Sequence, residues 1–162
     1  MAAPPAWCHA LAVHTRPLLS IAIQLEPAAM LGPFPLGERR LIAFRNGTFE
    51  GVDGLRGTVA PGGVDWQTVR ADRVVEIRAH YLLLTDAGEP IEITSEGLRV
   101  ATPGVTARLA VGAPVDASEY YCRTHIRLTT SSPRWERLNQ IIAISTGERR
   151  PDDVAIHVHE VL

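Results

Sequence analysis

The chain has 162 residues, enough for one domain whose folding takes roughly two thirds of the unfolded surface out of water. Hydrophobic residues make up 46% and charged ones 21%, and a formal net charge of -2 gives no long-range pull toward phosphate backbones or anionic lipid, which disfavours nucleic-acid and membrane-surface roles. The 16 basic residues are all arginine, so Schiff-base chemistry, pyridoxal attachment and a phosphate-loop lysine are excluded, and proton transfer falls to Asp, Glu, His, Tyr or Cys.

The opening MAAPPAWCHALAVHTRPLLSIAIQL has no basic leader, and His14 and Arg16 interrupt its apolar content before a secretory core could form. Loose order is expected over residues 1–15. Leu19, Ile21, Ile23 and Leu25 then alternate as the inward face of a first strand. RRLIAFR follows as a β-rich run, and Asn46-Gly47 and Asp53-Gly54 read as turns between it and LRGTV. Leu55 and Val59 point inward in LRGTV, and Pro61-Gly62-Gly63 reads as a tight connection. The strand after it, VDWQ, sends Asp65 and Trp66 to opposite faces if it is regular.

In VVEIRAHYLLL, Val75, Ile77, Ala79, Tyr81 and Leu83 share one face and Glu76, Arg78 and His80 the other, which directs Tyr81 to the core. A turn at Asp86-Ala87-Gly88 leads to PIEIT, with Ile91 and Ile93 inward. Pro103 to Ala113 breaks the period of two: after a helix-starting proline, Val105, Leu109 and Gly112 recur at helical spacing, which predicts a short helix or plug. In EYYCRTHIRL alternation groups Tyr120, Cys122 and Ile126, and puts Tyr121 and Arg123 on the other face, where Arg123 is either an interior cation or an exterior ion-pair residue. An irregular corner at Ser131–Trp135, the run NQIIAIST, a turn at Thr146-Gly147 and the strand VAIHVHEV complete seven or eight antiparallel strands. That spacing fits a β-barrel or sandwich in a single domain over 1–162, and no run of 18 apolar residues predicts a membrane span.

Most motif chemistry is absent. Cys8 and Cys122 lie far apart with no CxxC, consistent with reduced thiols and a cytoplasmic location. His157 and His159 share a strand face but lack a third ligand, so no metal is expected. Asn46-Gly47-Thr48 matches a glycosylation triplet but reads as a turn, and the Gly62-Gly63 pair is not followed by a helix that could hold phosphate. No serine sits in a GxSxG context. Trp66, Tyr81, Tyr120, Tyr121 and Trp135 stand on strands or at their ends in a chain with only 6% aromatics. Buried phenol and indole groups need polar partners, and Asp65, Arg123 and Asn139 are at hand to supply them.

The ordered set LGPFPLGERR, NGTFEG, LRGTVAPGGVDWQ, AHYLLLTDAGEPIEI, EGLR, PVDASEYYCRT and LNQIIAISTGER resembles the family known as domain of unknown function 3237, from about Leu19 to Val161. The resemblance implies a single antiparallel β-barrel of about eight strands, similar in outline to allene-oxide-cyclase-like and lipocalin-like barrels, associating as a homodimer or larger homo-oligomer. It implies no established reaction, and carrying over an activity from such barrels is analogy from the fold.

The expected function is a cofactor-independent barrel that takes up a small apolar or aromatic metabolite, with chemistry limited to isomerisation, cyclisation, lyase reactions or proton transfer. In that reading Asp65 is the general acid or base, Arg123 neutralises a carboxylate or enolate oxygen, and Tyr81 donates to the substrate. Trp66, Tyr121 and Trp135 form walls of the binding site and Asn139 orients a polar group. The alternatives are a non-enzymatic carrier or sensor that uses the same pocket, and a structural domain whose barrel is packed solid.

Overall fold

The computed structural model describes residues 12–151 and 153–162. Ten strands form one sheet: β1 (Thr15–Leu25), β2 (Ala29–Phe34), β3 (Gly37–Gly51), β4 (Arg56–Val59), β5 (Val64–Val69), β6 (Val75–Thr85), β7 (Pro90–Val100), β8 (Tyr121–Thr130), β9 (Ala143–Arg149) and β10 (Asp153–Val161). All their pairings are antiparallel. The order β1-β10-β9-β8-β7-β6-β4-β3 closes on itself because β1 also pairs with β3, from Leu19↔Gly51 to Leu25↔Phe44. Strands β4 and β5 follow one another between β3 and β6, and so act as one stave of an eight-stave barrel. No helix among the described residues is long and apolar enough to cross a membrane.

Strand β2 is an addition that the sequence pattern conceals. Its segment AMLGPF contains a proline, which cannot donate to a central ladder, and it pairs on one side only, with β3. Two expected turns are also strand interior. Asn46-Gly47 lies within the 15-residue β3, and Thr146-Gly147 lies within β9. Both glycines serve close approach instead: a Cβ on Gly47 would come 2.2 Å from the Ala22 carbonyl oxygen, and one on Gly147 would come 2.9 Å from Cys122 Sγ. The turn at Pro61-Gly62-Gly63 does form, with Gly62 at φ 97°. Cys8 and most of the 1–15 segment fall outside the described residues; Thr15 opens β1, and the His14 carbonyl accepts a hydrogen bond from Leu162 N.

Strand alternation divides the barrel lengthwise into a filled half and a hollow half. In the filled half Ile21, Ile23, Leu83, Ile91, Ile93 and Ile126 are at most 1% exposed and interlock with Phe49, Leu128 and Val158. A 3₁₀ helix, Pro133–Gln140, adds Leu138 to this half. There the buried Glu160 carboxylate accepts hydrogen bonds from Arg16 Nε at 2.8 Å and from Arg137 Nη2. The Arg137 hydrogen bond, then Arg16, hold that carboxyl below its ordinary range against the opposing effect of burial.

In the other half the inward positions turn small: Ala79 on β6, Ser95 and Gly97 on β7, Ser145 and Gly147 on β9. Side chains of that size cannot meet across the barrel, so a space remains. The helix α1 (Pro103–Ala110) lies over this half, capped at its start by Thr102, whose Oγ1 accepts from Val105 N at 3.3 Å. Its apolar side, Val105 and Leu109, packs with Val115 and Tyr120, and Leu109 reaches the cavity lining.

Candidate functional site

The space in the hollow half is a cavity of about 420 Å³, in the range of small-molecule sites. Leu25, Ile42, Phe44, Ile77, Val154 and Ile156 give it apolar walls. Its floor is the top of the filled core, where Phe44 meets Tyr81 edge to face with ring centroids 5.2 Å apart. A first set of polar groups enters from three strands. Asp65 and Gln67 point inward from β5 because they are two residues apart, and Arg40 points inward from β3 because it pairs directly with Gln67. Arg99 projects from the end of β7.

These groups form a short relay along one wall. Arg40 Nε donates to Gln67 Oε1 at 2.7 Å, and Gln67 Nε2 donates to Asp65 Oδ2 at 2.5 Å. Asp65 Oδ1 is buried without a hydrogen-bond partner among the described residues, and so is the Tyr81 hydroxyl one step deeper on β6. Burial pushes the Asp65 carboxyl above its ordinary value, although the Gln67 amide, the Arg78 backbone amide and the charges of Arg99 and Arg40 all pull the other way. Burial, with a smaller contribution from Asp65, raises the Tyr81 phenol far enough to keep it protonated. The Cys122 thiol is also raised, by burial first, which makes it a poor nucleophile in this setting.

A second polar feature runs along the wall formed by β7, β8 and β9. Ser95 Oγ donates to Thr124 Oγ1 at 2.9 Å, and Thr124 Oγ1 lies 2.7 Å from Ser145 Oγ, all three side chains buried. Nearby the Tyr120 hydroxyl accepts from Arg149 N at 2.8 Å.

Of the residues expected to make a site, the structure brings Asp65 and Tyr81 to the interior and sends the others elsewhere. Trp66 faces outward on β5, 42% exposed, with the Arg39 guanidinium 5.5 Å from its ring centre. Arg123 and Tyr121 occupy the outer face of β8, where Arg123 donates to the Cys122 carbonyl at 2.8 Å and stacks on the Tyr121 ring at 5.2 Å. Both corrections follow from parity: Thr124 and Cys122 take the inward positions. Trp135 lies on the 3₁₀ helix and packs against the filled half, its indole N–H donating to Glu89 Oε2 at 3.0 Å. Asn139 is spent on the backbone of Thr130, accepting from its N at 2.8 Å and donating to its O at 3.0 Å, and this ties down the irregular corner. His157 and His159 remain on β10 away from the cavity lining, with His157 Nδ1 3.0 Å from Ser20 Oγ.

The polar residues missed from the sequence were Arg40, Gln67, Ser95, Arg99, Thr124 and Ser145. Extending the alternation would have found them, since each shares the parity of an inward residue: Arg40 with Ile42, Gln67 with Asp65, Ser95 and Arg99 with Ile93, Thr124 with Ile126, Ser145 with Ala143.

Fold and site together define a closed antiparallel β-barrel with a half-filled interior and a polar-lined cavity in the open half. The chain belongs to the family described as protein of unknown function DUF3237, whose model matches residues 13–161. A "UPF0311 protein" of Rhodopseudomonas palustris (strain TIE-1) is 31% identical over 150 residues, covering 93% of this chain and 97% of that one. The crystal structure of a conserved protein of unknown function from Rhodopseudomonas palustris superposes with a TM-score of 0.88 at 30% identity, over 94% of this chain and 99% of that one. An enzyme from Penicillium herquei shares the fold, with a TM-score of 0.71 at 19% identity over the full length of both chains.

Proposed function

We propose that the barrel takes up a small, largely apolar or aromatic metabolite in its interior cavity, and that Asp65 moves a proton on it without a cofactor. The observation that carries this reading is the Asp65 carboxyl. It is a half-buried acid whose Oδ1 is fully buried and has no partner among the described residues, set in the wall of a cavity large enough for a ligand. Leaving such an oxygen unpaired costs free energy, and a bound substrate that hydrogen-bonds to it offsets that cost. The upward shift of Asp65 moves a carboxyl toward the range in which it can both accept and return a proton near neutral pH. Gln67 fixes its orientation through Oδ2 and leaves Oδ1 for the substrate. Isomerisation, cyclisation and elimination each need only such a proton transfer within a site that excludes water.

Wild type and Asp65→Asn would each be incubated with a fractionated small-molecule extract and followed by mass spectrometry, with native mass spectrometry to detect retained ligand. The expected outcome is a species consumed by wild type about 100-fold faster than by Asp65→Asn, yet retained by both. Equal consumption by the two proteins removes Asp65 from the mechanism. Retention without consumption by either leaves a carrier, the favoured rival, because the Ser95–Thr124–Ser145 hydroxyls and the arginines give binding contacts that need no chemistry.

A further inference from the structure

Charge inside the cavity does not balance. Five ionisable acidic or basic side chains of full charge touch it: Glu26, Arg40, Asp65, Arg99 and Arg149. Glu26 is committed elsewhere, accepting from Arg45 Nε at 2.8 Å and Nη2 at 2.9 Å. Arg149 is engaged where β9 passes into β10, its Nη1 donating to the Asp153 carbonyl at 3.1 Å. The remainder is two guanidiniums, Arg40 and Arg99, against one carboxyl, Asp65.

That carboxyl is not in contact with either cation. Neither Arg40 nor Arg99 forms an ion pair with a carboxylate among the described residues, and the Arg99 side chain makes no hydrogen bond among them. Arg40 spends only its Nε, on Gln67. The two arginines also sense each other: burial first, then the charge of Arg99, disfavours the protonated form of Arg40. The charges of Asp65 and Glu38 offset part of this; a guanidinium does not give up its proton in a protein, so an added negative charge between the two arginines would relieve what remains. A third donor is available on the neighbouring wall. Ser95 donates to Thr124, and whichever of Thr124 and Ser145 donates to the other, one of those two hydroxyl hydrogens is left over.

We infer that the ligand of this cavity is an amphipathic organic anion, a compact apolar or aromatic body bearing one carboxylate or comparable oxyanion, which is held by Arg40 and Arg99. The inference rests on the proposed function and narrows it. The planar donor forks of two arginines match the oxygens of a carboxylate or an enolate, and the apolar walls of Ile42, Ile77, Val154 and Ile156 receive the rest of the molecule. The geometry also orders the chemistry. Arg40 is joined to Asp65 through Gln67, so an oxyanion seated at Arg40 presents its adjacent atoms toward the Asp65 end of the relay. In an anion with a double bond one atom further along, the carboxylate of Asp65 would take a proton from the atom next to the anionic group, and the electron pair of the broken C–H bond would be delocalised onto the oxygen facing the arginines. As that pair returned to re-form the carbonyl, the same proton would add to the far carbon of the double bond, which moves one position toward the anionic group. No electron acceptor or donor is needed. The role first assigned to Arg123 thus passes to Arg40 and Arg99.

The test uses a matched pair of two-ring probes, naphthalene-2-carboxylate and the neutral naphthalene-2-carboxamide, with binding to the intact protein measured by calorimetry near neutral pH. Wild type should prefer the carboxylate by about tenfold or more. Arg99→Gln should bring the two probes to similar affinity, Arg99→Lys should keep most of the preference, and Arg123→Gln on the outer wall should leave it unchanged. Equal binding of both probes by wild type overturns the inference and leaves the cavity reading intact. A preference that survives both Arg99→Gln and Arg40→Gln overturns it as well, because the anion would then sit elsewhere. Failure of wild type to bind either probe overturns the inference and the proposed function together.

Discussion

Replacing Asp65 by Asn keeps the shape of the side chain and removes its charge, and the consequence for stability has a definite sign. Burial raises the carboxyl in the folded protein above its value in the unfolded chain, about 4. Between those two values the native state holds a proton that the unfolded state has lost, so the stability of wild type falls as pH rises through that window. The slope is at most about 1.4 kcal/mol per pH unit for one proton. Below the window the contribution is fully favourable, and above the folded value the loss is complete. Asn has no such term. The stability of the Asn variant relative to wild type should therefore climb with pH from about 4 upward and then level off. A pH-independent offset accompanies this, about 0.5–1.5 kcal/mol, because the Gln67 amide, 2.5 Å from Oδ2, must pair with the new side chain instead. The carboxyls held low by their partners, among them Glu89, Asp116, Glu119 and Glu160, lose stabilisation as pH falls, but they do so equally in both proteins and drop out of the difference. Urea unfolding of the two proteins at a series of pH values, with unchanged m as the check on two-state behaviour, measures that difference. A difference that stays flat or declines as the pH rises would mean that Asp65 is solvated or paired in solution, and the proton-transfer reading would lose its physical basis.

Ala79 offers a direct probe of the hollow half, since it faces the cavity and is only 8% exposed. Ala79→Leu adds three carbons to empty space, which should stabilise the fold by about 2 kcal/mol in thermal or urea unfolding and abolish probe binding; destabilisation would indicate a packed interior. Asn139→Ala removes the bonds to Thr130 N and O and should cost about 1–2 kcal/mol in urea unfolding while leaving ligand affinity untouched. Trp66→Ala, on the outer wall beside Arg39, should alter ligand affinity by less than about twofold in the same calorimetric assay, because a surface change away from the cavity has small energetic reach. A large loss of affinity there would place the ligand outside the barrel.

The sequence by itself determined the parity of the walls. A strand has a side-chain period of two, so once Tyr81, Leu83, Ile91 and Ile93 were read as core, the inward and outward sets of β6 and β7 followed without reference to any partner strand. The same rule separated Asp65 from Trp66 and put Arg123 opposite Cys122, and in the folded barrel Asp65 and Cys122 line the cavity while Trp66 and Arg123 face outward. Turn chemistry was less reliable. Asn46-Gly47 and Thr146-Gly147 carry the residues of a hairpin but stand inside strands, because a glycine demanded by a neighbouring backbone or by the Cys122 sulfur looks the same in sequence as one demanded by a positive φ.

Only the tertiary structure decided which inward side chains meet one another. Arg40, Asp65, Arg99 and Ser145 come from four strands separated by long stretches of chain, and their convergence depends on closure between β1 and β3 and on the register that sets Arg40 against Gln67. Parity says that such residues face the axis, but not at what depth, and depth is what separates Tyr81 in the filled half from Ala79 in the wall of the cavity. It also assigned Trp135 and Asn139 to the fold instead of the site, since the hydrogen bonds that occupy them reach Glu89 and Thr130 across a corner whose path no local pattern specifies. Local sequence sets the direction of each side chain through the pleat of its own strand, whereas the identity of its neighbours is set by how the strands are staggered when the barrel closes.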